Sequence, residues 1–474
     1  MDSHFVAELL TGLPRPEYVA APEVLISALA WGVLDLELSR ESSKPLALAY
    51  RTDVRTSSRI DFRSTSPRPD EMGQWVSALI DAGLEVSDDG ATLALATANS
   101  IAGVRAKRAK GQAATPLTPA LALLQNANGM MGKANPPRID LIIETMYRLG
   151  RAPLSVDRDQ TAAGRWLDAA ERRMGGDTLL RAIDRAVQSE LLPGKVLARK
   201  ERDVATVRVG ALAGDTPFTW FTNTWDKLTS DAWVDALPAR RWVDWATTVL
   251  RAAISFGYLW EARYYEAIAR SVVDRRVTED TFDSQELLDG IGTLIPWVNR
   301  REKVTVRDVN SNLKSTVRRG DHVRVVLREW LKSADLSLSM EEGLGQMARD
   351  PEAVERLQGA LSATQESGTN TSEAVRYSLL TRERSGPFAD HYGLLVTRGT
   401  RYLLVEPATE WIAVVASLAT PGPGQKSTIG DLHRSLTQLG LHPDYQELIG
   451  LLEASGLARG SADADQAVVY QSAY

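Results

Sequence analysis

The chain has 474 residues, a length at which an ordinary globular sequence divides into roughly three or four domains. Hydrophobic residues make up 44% and charged residues 24%, which excludes an intrinsically disordered chain. The absence of cysteine excludes disulfides and thiol nucleophiles, and the net charge of −6 excludes a protein whose whole surface coats nucleic acid.

The N-terminus lacks the basic-then-apolar order of a signal peptide. The most apolar run, residues 24–38, is interrupted by Asp35 and is too short to span a bilayer. We therefore expect a cytoplasmic protein that does not contact a membrane.

Residues 1–115 mix helical and strand patterns. Alternating apolar and polar residues predict strands within 46–63. Further on, the turn Asp88-Asp89-Gly90 between residues 84–86 and 92–95 predicts a β-hairpin. Because a helix precedes this hairpin, as at the end of a winged helix, we expect a winged-helix-like N-terminal domain.

A short basic run closes this domain, with four cations and no anion in residues 105–112. It has no strong helical periodicity, which favours an exposed loop or arm. Such an arm can be a solubilising linker, or it can bind a phosphate backbone. The candidate DNA-binding residues in the run are Arg105, Lys107, Arg108 and Lys110.

Residues 116–280 have helical periodicity and contain a cluster of tryptophans, and we expect a scaffold of packed helices. Six of the 12 Trp lie between residues 220 and 260. Aromatic clusters can stack unpaired bases. The spacing of Trp242, Trp245 and Leu250 is more typical of packed helices, so the pattern favours a core or a protein interface.

Residues 281–345 predict a basic helix-turn-helix or winged-helix-like unit. Ten basic and four acidic residues lie between 300 and 332, in a chain that is acidic as a whole. Thr305 and Asp308 resemble a capping box that starts one helix, a polar turn ends at Gly320, and Asp321 caps a second helix. Apolar residues at 287–298 would form the third helix, and residues 336–338 would begin a wing.

The second of these helices carries Arg324, Arg328 and Lys332 at positions i, i+4 and i+8. Like charges at this spacing repel each other, so the row favours a polyanion lying along that face. A solvated basic surface is the plain alternative. We expect double-stranded DNA to bind here, and the predicted contacts in this unit are Arg307, Lys314, Arg318, Arg319, Arg324, Arg328 and Lys332.

A flexible linker is predicted at 346–385, where apolar density falls and Ser, Thr and Gly are frequent. The final unit, 386–474, begins with two apolar strands about a Gly-containing turn at 393–405, followed by a helix at 408–418.

A capped helix starting near Thr428, a second helix and a closing strand at 467–470 complete this unit and predict another winged-helix-like module. Two basic and six acidic residues lie between 431 and 465. Because this charge repels DNA, we expect the C-terminal module to bind a protein.

No catalytic constellation is evident in the sequence. The 5 His lack the helical spacing of a zinc site, and the loop around Lys426 lacks the preceding Gly of a phosphate-binding loop. We therefore expect a non-enzymatic protein without cofactor or metal. Two alternatives remain open: a metal-dependent nuclease whose carboxylates are scattered along the chain, and a pure protein scaffold.

The hairpin sequence Arg398-Gly399-x-Arg401-Tyr402, with the helix and the module that follow it, resembles accessory subunits of bacterial anti-phage restriction systems of the phosphorothioation-dependent type. A second resemblance is to kleisins of condensin-like defence complexes, although the long heptad helices of a kleisin neck are not evident. The first resemblance implies a subunit that works beside a motor ATPase or nuclease. The predicted fold is therefore mostly α with small β hairpins (α+β), multidomain, with two or three winged-helix-like units.

Overall fold

The computed structural model describes residues 10–16, 23–35, 76–77, 79–86, 90–105, 112–124, 139–151, 160–191, 198–199, 214–274, 276, 287–288, 290–297, 306–335, 337–382, 389–398, 402–458 and 469–474. This part of the chain is mostly helical with small antiparallel strand pairs, which confirms the α+β class. The predicted strands at 46–63 lie outside the described residues.

The helices of the described residues are α1 (Glu23–Val33), α2 (Gly90–Ile101), α3 (Pro119–Leu124), α4 (Ile139–Leu149), α5 (Ala162–Gly176), α6 (Thr178–Leu191), α7 (Pro217–Leu228), α8 (Asp231–Ala236), α9 (Ala239–Val273), α10 (Val306–Trp330), α11 (Met340–Arg349), α12 (Pro351–Ser362), α13 (Thr369–Leu379), α14 (Thr409–Ala419), α15 (Ile429–Gln438) and α16 (Tyr445–Ala454). The strands are β1 (Leu34–Asp35), β2 (Ala102–Arg105), β3 (Gln112–Ala114), β4 (Ala198–Arg199), β5 (Leu395–Arg398), β6 (Tyr402–Val405), β7 (Lys426–Thr428) and β8 (Val469–Gln471). They pair as β1 with β4, β2 with β3, β5 with β6, and β7 with β8.

Helix α9 is the centre of the core. It has 35 residues, which makes it about 52 Å long, and apolar side chains on all its faces are buried. Helices α4, α7, α10, α12 and α13 pack against it. The six clustered tryptophans are all buried here, so the prediction that they form a core is confirmed.

Helix α10 is continuous through Gly320, so the predicted helix-turn-helix is wrong. Gly320 lies where α10 crosses α9, and a Cβ atom at this position would be 2.5 Å from the Cα atom of Ala262. The glycine therefore permits a close helix crossing and does not end a helix. The predicted third helix is also wrong over 290–297, where the chain is irregular. There Leu294 donates a backbone hydrogen bond to Gly440.

Two further predictions are wrong, because residues that are typical of turns and linkers lie in packed helices here. Gly90 begins helix α2, so residues 92–95 are helical and do not form a hairpin strand. The predicted linker at 346–385 contains the end of α11 and all of α12 and α13, which bury Leu357 and Val375 among other residues. This stretch is therefore part of the packed structure.

The predictions for the C-terminal elements are confirmed. Strands β5 and β6 form the expected hairpin, with Leu395 opposite Val405, and α14 follows it. Thr428 and Asp431 form a capping box at the start of α15. Strand β8 closes this region by pairing with β7.

Buried or half-buried cations bind the C-termini of three other helices. Arg251 donates hydrogen bonds to carbonyl groups at the end of α13, Lys227 does so at the end of α14, and Arg173 at the end of α8. The last carbonyls of a helix have no partner within the helix and carry partial negative charge. These contacts therefore satisfy the helix ends while joining distant parts of the chain.

No helix of the described residues has both the length and the apolar character needed to cross a membrane.

We expect Gly320→Ala to lower the free energy of unfolding by about 1–3 kcal/mol, because the added methyl group forces α9 and α10 apart. The matched control is Gly359→Ala in α12, where a Cβ meets no atom within 4 Å. Since alanine favours a helix over glycine, the control should be stabilised by about 0.5–1 kcal/mol. Urea unfolding of both variants measures the difference, and equal stability of the two would contradict the crossing.

Candidate nucleic-acid interface

Three of the predicted DNA-binding residues lie exposed along one face of α10 and the turn that follows it: Lys314, Arg328 and Lys332. Lys314 and Arg328 are 14 residues apart and therefore lie within about 40° of each other around a helix of 3.6 residues per turn, about 21 Å apart along its axis. Lys332 follows in the turn just after the end of the helix. None of the three has an ion-pair partner among the described residues. We call these three residues the α10 strip.

An open groove of about 540 Å³ lies beside the C-terminal half of the strip. It is lined by three cations, one carboxylate and three apolar residues: Arg324, Arg328, Lys332, Glu329, Leu10, Val325 and Leu331. Val325 is 43% exposed, which is unusual for a valine on a helix packed against a core. The groove therefore combines a cationic side with a small apolar surface.

Arg324, predicted as the first member of the row, does not join the exposed cations. Its Nε and Nη2 atoms donate hydrogen bonds to Oδ1 of Asp321 over 3.1 and 2.7 Å, and both side chains are only 14% exposed. The positive charge of Arg324 is therefore balanced within the protein. The pair lies at i and i+3 on one helix, a spacing that identifies such pairs in a sequence.

Two other predicted contacts are also engaged internally. Arg319 forms an ion pair with Glu266 of α9, whose carboxylate is buried, and Arg318 lies half-buried beside the carbonyl group of Thr364. Arg319 thus joins α10 to α9 and is not a surface cation, which corrects the prediction for this residue.

The remaining predicted residues either lie near the ends of described segments or fall outside the described residues. Arg307 falls in the first turn of α10 and Arg105 ends strand β2, whereas Lys107, Arg108 and Lys110 lie outside the described residues.

Between α9 and α10 lies a buried ionic seam that the sequence does not predict, completed by the N-terminal segment 10–16. Arg15 of this segment binds Glu261 of α9 with an Nη1–Oε2 distance of 2.5 Å, and its Nε atom lies 3.5 Å from Asp321 of α10. The hydroxyl group of Thr11 also donates to Glu261. No local pattern predicts this seam, because its partners are about 250–300 residues apart in the chain.

The carboxylate of Asp321 is the outermost acidic group of this seam. Burial disfavours its charged form, but hydrogen bonds from Ser367 and Arg324 and the positive charges of Arg324 and Arg15 outweigh burial and lower its pKa. It therefore remains charged and keeps Arg324 paired at neutral pH.

A second exposed surface belongs to the C-terminal elements. Tyr445, the first residue of α16, is 52% exposed and stacks on His433 with 4.8 Å between ring centroids. Asp444 and Glu453 are exposed on the same short helix or next to it. This surface is acidic with an aromatic residue at its edge, in contrast to the α10 strip.

Among the described residues, no group of three or more His, Asp or Glu side chains is arranged to hold a metal ion.

We expect Asp321→Asn to remove an acid-dependent part of the stability. A carboxylate whose pKa is lowered on folding stabilises the protein above its unfolded pKa of about 3.9, and this contribution is lost as the pH falls through the lower folded value. The variant should therefore be less stable than the wild type at pH 7. The two free energies of unfolding should converge as the pH falls through the lowered pKa of Asp321 in the folded protein, and urea unfolding in a pH series measures this. A stability difference that is independent of pH would contradict the lowered pKa of Asp321 in the folded protein.

No known protein family, curated protein or solved structure matches this chain. The resemblance drawn from the C-terminal hairpin therefore remains a hypothesis.

Proposed function

We propose that this protein is a non-enzymatic subunit that binds the backbone of duplex DNA through the α10 strip. The observation that carries this proposal is the alignment of three exposed cations, none of them neutralised by a described residue, on one helix face of a chain whose net charge is −6. The C-terminal end of α10 favours cations, but Arg328 and Lys332 lie about one turn apart and repel each other. Phosphate groups along a duplex supply the missing negative charge.

The proposed contact involves the phosphate backbone of DNA and does not depend on its base sequence. One side of α10 is covered by α9, and Glu329 beside the strip is paired with Arg356 of α12. Only a narrow face of α10 is thus open to a ligand. Cations on such a face reach phosphate oxygens, and phosphate contacts position a protein on DNA without specifying sequence.

We further propose that the C-terminal elements bind a protein partner, a motor ATPase or a nuclease, in a bacterial genome-defence complex. The element order α14, β7, α15, α16, β8 supports a winged-helix-like module, and in such a module α16 would occupy the position of the recognition helix. The exposed carboxylates of Asp444 and Glu453 repel phosphate, and the exposed aromatic ring of Tyr445 favours a protein surface.

For the DNA proposal, we expect Arg328→Glu/Lys332→Glu to abolish most duplex binding. Two lost phosphate contacts reduce the slope of log Kd against log salt concentration by about 1.8. The matched control is Arg349→Glu/Lys426→Glu, which changes the net charge equally at two exposed cations away from the strip. Fluorescence anisotropy with a random-sequence duplex at several salt concentrations measures both.

A slope that is unchanged in the strip variant, or equally reduced in the control variant, would refute the proposal. The first result would exclude the strip from binding, and the second would reduce its effect to overall charge.

For the protein contact, we expect Tyr445→Ser/Glu453→Lys to weaken co-purification with a co-expressed ATPase or nuclease from the adjacent gene by about tenfold or more, as for a contact centred on an aromatic residue. Ile80→Ser/Glu85→Lys is the matched control, since Ile80 is 50% exposed and Glu85 is also at the surface. Equal recovery of the partner with both variants would exclude this surface.

A further inference from the structure

The carboxylate of Asp321 has three partners that hold it in place. Its Oδ1 atom accepts both hydrogen bonds from Arg324 and lies 3.5 Å from Nε of Arg15, and its Oδ2 atom accepts a 2.5 Å hydrogen bond from Ser367. These partners come from α10, from the N-terminal segment and from the loop before α13. Asp321 is therefore fixed by three separate parts of the chain.

Arg324 lies one helical turn before Arg328 and lines the same groove. By position it could add a further phosphate contact to the α10 strip. To reach a phosphate, however, its guanidinium would have to leave a pair in which both side chains are 14% exposed. Breaking a largely buried ion pair is costly because the remaining charge loses its partner.

We propose that Asp321 is a positioning residue that withholds Arg324 from DNA, so that the α10 strip engages phosphates with Lys314, Arg328 and Lys332 only. Ser367 and Arg15 keep Asp321 in the orientation that retains Arg324. The strength of binding is thus limited from inside the protein, by a carboxylate that does not itself touch the ligand. This inference depends on the proposed DNA-binding function.

The salt dependence of binding distinguishes a withheld cation from an engaged one. Each Arg or Lys that neutralises a phosphate adds about 0.9 to the slope of log Kd against log salt concentration. A cation paired with Asp321 adds nothing, because it releases no counterion from DNA. A purely structural role for Asp321 would change stability without raising this slope.

The test compares Arg324→Gln, Asp321→Asn and the double variant by fluorescence anisotropy with a random-sequence duplex. We expect Arg324→Gln to leave the slope unchanged, Asp321→Asn to raise it by about 0.9 as Arg324 becomes free, and the double variant to return to the wild-type slope. Asp335→Asn is the matched control, because it removes an exposed carboxylate just beyond the strip without releasing an arginine. Its slope should equal that of the wild type.

A slope lowered by Arg324→Gln, unchanged by Asp321→Asn, or raised equally by Asp335→Asn would overturn the inference. If Asp321→Asn fails to fold, a lowered slope in Arg324→Gln still overturns the inference, since Asp321 keeps Arg15 and Ser367 as partners in that variant. Binding that is insensitive to Arg328→Glu/Lys332→Glu overturns the proposed function and the inference together. Binding that is lost in that variant, with a lowered slope in Arg324→Gln, overturns the inference alone.

Discussion

The crossing of α9 and α10 at Gly320 and Ala262 is the constraint on which the rest of the structure depends. There the backbone of α10 at Gly320 faces the backbone and the methyl group of Ala262 in α9, and α9 and α10 are the two longest described helices. Such a close approach fixes the position of α10 along α9 and its rotation about its own axis, because any side chain larger than hydrogen would collide. The ion pair between Arg319 and Glu266 and the contacts of Arg15 with Glu261 and Asp321 lie on either side of the crossing and hold the same arrangement.

A second recurring feature of this fold is that a side chain of one helix caps the end of another helix. Cations of the scaffold helices bind the C-termini of α8, α13 and α14, and carboxylates act at the opposite ends. Glu144 of α4 accepts hydrogen bonds from the first backbone N–H groups of α5, and Asp184 of α6 accepts one from Ala120 in α3. Backbone N–H and C=O groups at a helix end destabilise the folded protein when they are buried without hydrogen-bond partners. In these cases a neighbouring helix supplies the missing partner, which lets a short helix such as α3 pack deep in the structure.

Sequence reasoning predicted the elements whose signals are local. The capping box at Thr428, the hairpin of β5 and β6, and the tryptophans packed around α9 all follow from spacing and residue type within a few turns. Sequence-based prediction failed where one residue type is compatible with two different structures. Gly320 resembles a helix terminator in the sequence, but its lack of a side chain serves a contact with a helix about sixty residues earlier.

The candidate site was only partly predictable for the same reason. Helical spacing placed Arg324, Arg328 and Lys332 on one face, and exposure of the last two agrees with that placement. The state of Arg324 and Arg319 depends on carboxylates that face them: Asp321 one turn away in the same helix, and Glu266 on another helix. A count of charges along a sequence does not distinguish a cation that meets solvent from one already matched inside the protein.

Because the crossing glycine and the exposed cations lie about 80–120° apart around α10, the packed face and the cationic face cannot vary independently. A single residue inserted between Gly320 and Arg328 would rotate the last two cations by about 100° relative to the core, or else displace the glycine from its contact. Between Gly320 and Arg328, substitutions preserve this relation, whereas insertions and deletions do not. Single substitutions can add or remove surface charge. The angle around α10 between Gly320 and the exposed cations is fixed by the packing of α10 on α9.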